Sequence, residues 1–201
     1  SLMAERNIPV IEDDIFGELH FGAHRPWPVK SFDTAGNVML CSSFSKTLSP
    51  PLRLGYVAAG RFQPQVLVQK TLNAGATNPI TQAVVATFME TSAYDRHLRA
   101  VRRAHEKQVL CMADAIARFF PAGTRLSQPQ GGIVLWVELP GKADSQALYE
   151  AALAAGIAIM PGDLFSASGR YRNCLRINCG NPWTPQIETA IQRLGGLACK
   201  S

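Results

Sequence analysis

Ser43-Phe44-Ser45-Lys46-Thr47-Leu48-Ser49-Pro50-Pro51-Leu52-Arg53-Leu54-Gly55-Tyr56 follows directly on the apolar run Val38-Met39-Leu40-Cys41. One lysine therefore stands just behind a buried-strand signal, flanked by hydroxyls at Ser43 and Ser45, with Arg53 further along. A lysine at the mouth of an apolar site, near a second cation, has its ammonium form disfavoured and becomes nucleophilic. Hydroxyls and an arginine together suit a phosphate, since a guanidinium offers a forked pair of charge-assisted hydrogen bonds.

Upstream, Ile8-Pro9-Val10-Ile11 ends in Glu12-Asp13-Asp14, and downstream lies Leu54-Gly55-Tyr56-Val57-Ala58-Ala59. Continuous apolar runs of this kind predict strands buried on both faces of a sheet covered by helices. Ligands of such sheets gather at the carboxyl ends of the strands, where two of these runs discharge into polar clusters. A carbonyl-bearing, phosphorylated cofactor would use the lysine, the hydroxyls and the arginine together, and pyridoxal 5'-phosphate is such a molecule. It also needs an anion beside its ring nitrogen, which one carboxylate of the acidic cluster would supply. Taken singly, the acids fit a turn or a helix cap and Lys46 fits a surface position. Their occurrence in this order points to a site.

The 201 residues are 47% hydrophobic and 17% charged, the composition of a globular chain able to bury a core. No apolar run approaches the ~20 residues of a membrane span, and the start has no secretory-signal pattern. The net charge of +5 suits anionic ligands without arguing for nucleic acid. Five scattered cysteines (41, 111, 174, 179 and 199) and four histidines show no metal-ligand spacing, so we expect reduced thiols, no metal and a cytoplasmic location.

After the strand-like segment, helices are predicted over 65–72, 80–91 and 94–119. The last carries Leu98, Val101, His105, Val109, Met112, Ile116 and Phe119 on one side. Arg96, Arg99, Arg102, Arg103 and Lys107 read as its solvated face, with an acidic-partner or nucleic-acid surface as the alternative. Beyond Pro121 a compact α+β segment follows. Its expected strands are 132–139, 157–160 and 174–178, and its helices 145–155, closed by Gly156, and 184–194, opened by Thr184-Pro185. The seam between the two textures falls within Ala93–Arg103.

At this point the residues resemble a known family. Ser43-Phe44-Ser45-Lys46 followed by Leu52-Arg53-Leu54-Gly55-Tyr56 is similar to the lysine motif of fold-type I pyridoxal-phosphate enzymes of the class I/II aminotransferase group. Val10-Ile11-Glu12-Asp13-Asp14-Ile15-Phe16-Gly17-Glu18-Leu19 resembles the aspartate segment of its aminoadipate/kynurenine aminotransferase branch. That branch includes the aminotransferase-like domains of MocR-type regulators in the GntR superfamily. Pro129-Gln130-Gly131-Gly132-Ile133-Val134-Leu135-Trp136 and Met160-Pro161-Gly162-Asp163-Leu164-Phe165 extend the match. Tyr94-Asp95-Arg96-His97-Leu98-Arg99 and Asn173-Cys174-Leu175-Arg176 lean toward the regulators.

The resemblance implies an α/β fold, the C-terminal part of a pyridoxal-phosphate transferase. Residues 1–98 would be part of a large cofactor domain with a partial mixed sheet, and residues 99–201 a small α+β domain. It implies that Lys46 holds the cofactor covalently and that Asp13 pairs with the ring nitrogen, with Asp14 the alternative. Ser43 and Arg53 would bind the phosphate with Ser45 beside them, and Arg176 would clamp a substrate α-carboxylate.

Two residues depart from the family pattern. Phe16 stands where many aminotransferases carry a tyrosine that bonds the ring oxygen, and Pro51 replaces a glycine, which disturbs the loop if positive φ is needed there. The family is roughly twice this long, so the reading is of a C-terminal fragment, inactive when isolated, with exposed sheet edges. A winged-helix DNA-binding domain would lie upstream. Two functions then compete: amino-group transfer between an amino acid and a 2-oxo acid, or sensing of an amino acid effector. Both are expected in a homodimer.

Overall fold

The computed structural model describes residues 2–199, and the chain divides into two compact units, Ser1–Arg102 and Arg103–Ser201. The first opens with a short helix α1 (Leu2–Glu5) and strand β1 (Val10–Asp13), continues through β2 (Val38–Ser43) and β3 (Gly55–Ala58), and then turns helical with α2 (Gln63–Ala74), α3 (Pro79–Met89) and the start of α4 (Ser92–Phe119). The sheet is mixed, in the order β1-β2-β3. Strand β1 runs parallel to β2 with Asp13 opposite Cys41, and β3 runs antiparallel with Gly55 opposite Ser43. A Cβ on Gly55 would stand 2.6 Å from the Ser42 carbonyl oxygen, so the strands approach here as only glycine allows.

The second unit holds β4 (Arg125–Leu126), β5 (Val134–Glu138), α5 (Ser145–Ala154), β6 (Met160–Pro161), β7 (Cys174–Asn178) and α6 (Pro185–Ala198). Its sheet is antiparallel throughout, ordered β4-β5-β7-β6. One face is apolar: Leu135, Val137, Leu175 and Ile177 are buried, as are Met112 and Ile116 of α4, Leu148 of α5 and Leu194 of α6.

Local signals account for the element ends. Asn78 caps α3 by accepting from the Ile80 and Thr81 amides, and Thr184 caps α6 by accepting from Ile187. Gly156, at φ 76°, closes α5 in a Schellman arrangement in which the Ile157 amide donates to the Ala152 carbonyl at 2.9 Å. That bond occupies Ile157, so the strand expected from 157 begins only at Met160. Helix α6 runs four residues past the expected Leu194. Gly195 within it packs so near the Phe119 carbonyl that a Cβ would collide.

The expectation of strands buried on both faces is not met. Strand β3 is exposed along its length, β1 alternates, and Ile11 is 71% exposed. Both are edge strands of a three-stranded sheet, and α2 buries none of its residues. Among the described residues no helix is long and apolar enough to cross a membrane.

Candidate functional site

The first unit gathers its chemistry at the carboxyl ends of β1 and β2. Asp13 closes β1, and its exposed carboxylate accepts only a long bond, 3.3 Å, from the Ile15 amide. Asp14 differs. It leaves the sheet by donating its amide to Cys41 and takes the Arg25 guanidinium as ion partner. Burial pushes the Asp14 carboxyl up, and Arg25 opposes that shift. Gly17 lies against this pair, and a Cβ there would force the two side chains to shift. Of the two acids, Asp13 is therefore the one whose charge nothing among the described residues neutralises.

Beyond Ser43 the chain makes a tight turn. The Ser43 hydroxyl donates to the Leu54 carbonyl at 3.3 Å and accepts from the Ser45 amide at 3.1 Å, and Phe44 is buried against Tyr56. These bonds fix the backbone on which Lys46 rides. Lys46 itself is exposed, with Nζ 6.0 Å from the centre of the Phe16 ring and no carboxylate partner among the described residues. Phe16 thus lies near the amine.

Pro50-Pro51-Leu52 forms a single 3-10 turn, with both prolines at positions that tolerate the missing N–H. The left-handed residue of the loop is Arg53, at φ 48°. Pro51 is therefore compatible with the loop: the positive φ on which a disturbance would depend falls two residues later. A non-glycine residue held there stores strain of about 1–3 kcal/mol. Arg53 is exposed and has no carboxylate partner among the described residues.

In the second unit Arg176 lies on β7, opposite Trp136 of β5 and Met160 of β6, on the sheet face turned away from the apolar core. Its guanidinium sits 5.0 Å over Phe165, and Trp136 contacts both Phe165 and Tyr171 edge-on at 5.5 Å. The simplest alternative to a clamp is a strand-edge arginine paired with a surface acid. Instead β7 is interior to its sheet, and Arg176 has no acidic partner among the described residues.

Sequence reasoning misses the polar frame around these groups. Arg102, which reads as one of the solvated cations of α4, turns inward, donating from Nε to the Glu18 carbonyl at 2.7 Å and pairing with the Glu18 carboxylate at 2.9 Å. Glu18 also holds Arg25 at 3.1 Å. His97 bonds the carbonyl of Thr47, next to Lys46. The available signal is helical phase, which puts Arg102 beside the apolar Leu98 and Val101. Among the described residues no group of three or more His, Cys, Asp or Glu could hold a metal.

Comparison with known proteins places the chain in a class. The family model for aminotransferase class I and II matches residues 1–194, and the chain belongs to that family. It is 37% identical over 195 residues to the uncharacterized HTH-type transcriptional regulator YjiR of Escherichia coli (strain K12), covering 97% of this chain and 42% of that protein. It is 32% identical to the 2-aminoadipate transaminase of Thermus thermophilus, covering 96% of this chain and 50% of that one. The crystal structure of LysN, the alpha-aminoadipate aminotransferase of Thermus thermophilus, complexed with N-(5'-phosphopyridoxyl)-L-leucine, matches with a TM-score of 0.90 at 30% identity. That match covers 99% of this chain and 52% of LysN. The chain therefore spans about half the length of these relatives, and its α/β fold is that of the corresponding part of a fold-type I aminotransferase. The cofactor implied by this family is pyridoxal 5'-phosphate. The donor set fits it: a primary amine, a carboxylate and a guanidinium, none paired with an opposite charge among the described residues, beside two hydroxyls.

Proposed function

We propose that this chain is the pyridoxal-phosphate-binding, aminotransferase-like part of a MocR/GntR-type transcriptional regulator. The observation that carries the reading is the set of unneutralised groups at the strand ends, Lys46, Asp13 and Arg53, near the Ser43–Ser45 turn. None of the three forms an ion pair among the described residues, which leaves their charges available to a ligand. Similarity to YjiR favours the regulator.

When bound, pyridoxal 5'-phosphate supplies an aldehyde that condenses with amines and a cationic ring that accepts the electron pair of a broken Cα–H bond. Lys46 is the attachment amine and the base that moves the Cα proton. Asp13 keeps the ring nitrogen protonated. Ser43, Ser45 and Arg53 bind the phosphate, and Phe16 offers an apolar contact without the hydrogen bond a tyrosine would donate. Arg176 binds the α-carboxylate of an amino acid effector or substrate. DNA would be contacted only through a domain outside these 201 residues, and a homodimer is expected.

A second reading, a free-standing aminotransferase acting on an amino acid and a 2-oxo acid, is supported by the likeness to the 2-aminoadipate transaminase and to LysN. Rapid loss of the cofactor's visible absorbance on adding amino acids favours the enzyme. An unchanged or merely shifted band, with altered DNA affinity, favours the sensor. In either case Arg176→Ala weakens amino acid binding at least about a hundredfold while leaving cofactor affinity nearly unchanged, as measured by titration. Equal loss of both contradicts the clamp.

A further inference from the structure

Helix α4 reaches two separate loops of the first unit through its polar side chains. His97 Nε2 lies 2.7 Å from the Thr47 carbonyl oxygen. A carbonyl only accepts, so Nε2 carries the proton. Thr47 is the residue after Lys46 and is itself buried. Five residues further along the helix, Arg102 grips Glu18 twice, through its carbonyl and its carboxylate. Glu18 stands five residues after Asp13 and two after Phe16, and it holds Arg25, the ion partner of Asp14.

At 100° per residue, His97 and Arg102 stand about 140° apart around the helix, on the two edges of the stripe formed by Leu98 and Val101. One edge therefore holds the turn that carries the amine, and the other holds the loop that follows the carboxylate. Neither contact is local in sequence: the partners are 50 and 84 residues apart. The Lys46 turn is otherwise held by bonds within itself and to Leu54, and the segment after Asp13 by bonds to Cys41 and Ser42 and by the Arg25 guanidinium.

We infer that His97 and Arg102 are positioning residues, which set the Lys46 turn and the Asp13–Phe16 segment against each other through one rigid helix. The inference rests on the proposed cofactor reading for its consequence, though not for its geometry.

Two measurements on the same proteins separate the two. Hydrogen exchange without cofactor reads the geometry. His97→Leu is expected to speed exchange about tenfold in residues 44–49 alone, and Arg102→Leu to do so in residues 14–20 alone. His97→Gln, which keeps an N–H donor, restores slow exchange. Titration with pyridoxal 5'-phosphate reads the consequence: each leucine variant weakens the Lys46-dependent absorption band about tenfold in apparent affinity, and His97→Gln recovers it. Unchanged local exchange, or faster exchange throughout the chain, overturns the helix contacts. Local loosening with unaltered cofactor affinity reduces both residues to structural ties and overturns the positioning role. If the unaltered protein forms no band that Lys46→Ala removes, the cofactor reading fails and the positioning role falls with it, whatever the exchange result.

Discussion

The two units solve the same problem, stabilising a small sheet, by different means. In the second unit burial does most of it. Leu135, Val137, Leu175 and Leu194 are at most 1% exposed, and the sheet alternates cleanly between an apolar face and a half-exposed one. In the first unit few apolar side chains are buried, and polar bonds tie the loops down. Asp33 accepts from the Asn37 and Val38 amides and from Lys30, Arg61 bonds Asn7 and Asn37, and the Asp14–Arg25–Glu18–Arg102 chain fixes the segment after β1. Hydrogen bonds and ion pairs hold direction where apolar burial does not. The unit held by directional bonds is the one that offers the exposed amine of Lys46, the carboxylate of Asp13 and the guanidinium of Arg53.

The sharpest test of this contrast is a pair of leucines. Leu175→Ala empties a fully buried position and is expected to cost about 2–5 kcal/mol in chemical denaturation. Leu67→Ala, on a helix with no buried residue, is expected to stay within about 0.5 kcal/mol. Similar losses at both positions break the comparison.

Next comes a pH dependence carried by Asp33 of the first unit. The backbone amides of Val38 and Asn37 hold the Asp33 carboxyl well below the usual carboxylate range, Val38 most strongly. A folded value below the unfolded one, about 3.9, gives stability that is complete above the unfolded value. It drains away as pH falls through the folded value. The stability gap between the parent and Asp33→Asn is therefore present near neutrality and shrinks as pH drops below about 4. A gap independent of pH contradicts the charged cradle.

The smallest effect lies in the thiols of the second unit. Burial pushes the Cys179 thiol up to about 12 and raises Cys174 as well, whereas Cys199 is exposed. Labelling at neutral pH is expected to modify Cys199 at least about a hundredfold faster than Cys179. Comparable rates would mean that this core opens readily.

Much of this organisation is legible in the sequence because its causes are local. Thr184-Pro185 announces a helix start and Gly156 a helix end, since each supplies or frees bonds within a few residues. The run from Val38 to Tyr56 shows its strand, its lysine turn and its returning strand for the same reason. What escapes depends on partners far along the chain. Only its helical phase, beside Leu98 and Val101, separates Arg102 from the solvated Arg99 and Arg103, because its acid is 84 residues away. His97 is equally silent. The open faces of the first sheet differ from expectation because continuous apolar runs signal the capacity for burial and not the presence of a cover. The left-handed residue of the lysine loop is Arg53, two positions past Pro51, and no glycine in the sequence marks it.

Reduction with borohydride after incubation with pyridoxal 5'-phosphate, followed by peptide mass spectrometry, locates the amine that holds the cofactor. A pyridoxyl group on the peptide containing Lys46, lost together with the visible band in Lys46→Ala, is the predicted result. A pyridoxyl group on another lysine, or a band that survives Lys46→Ala, contradicts it.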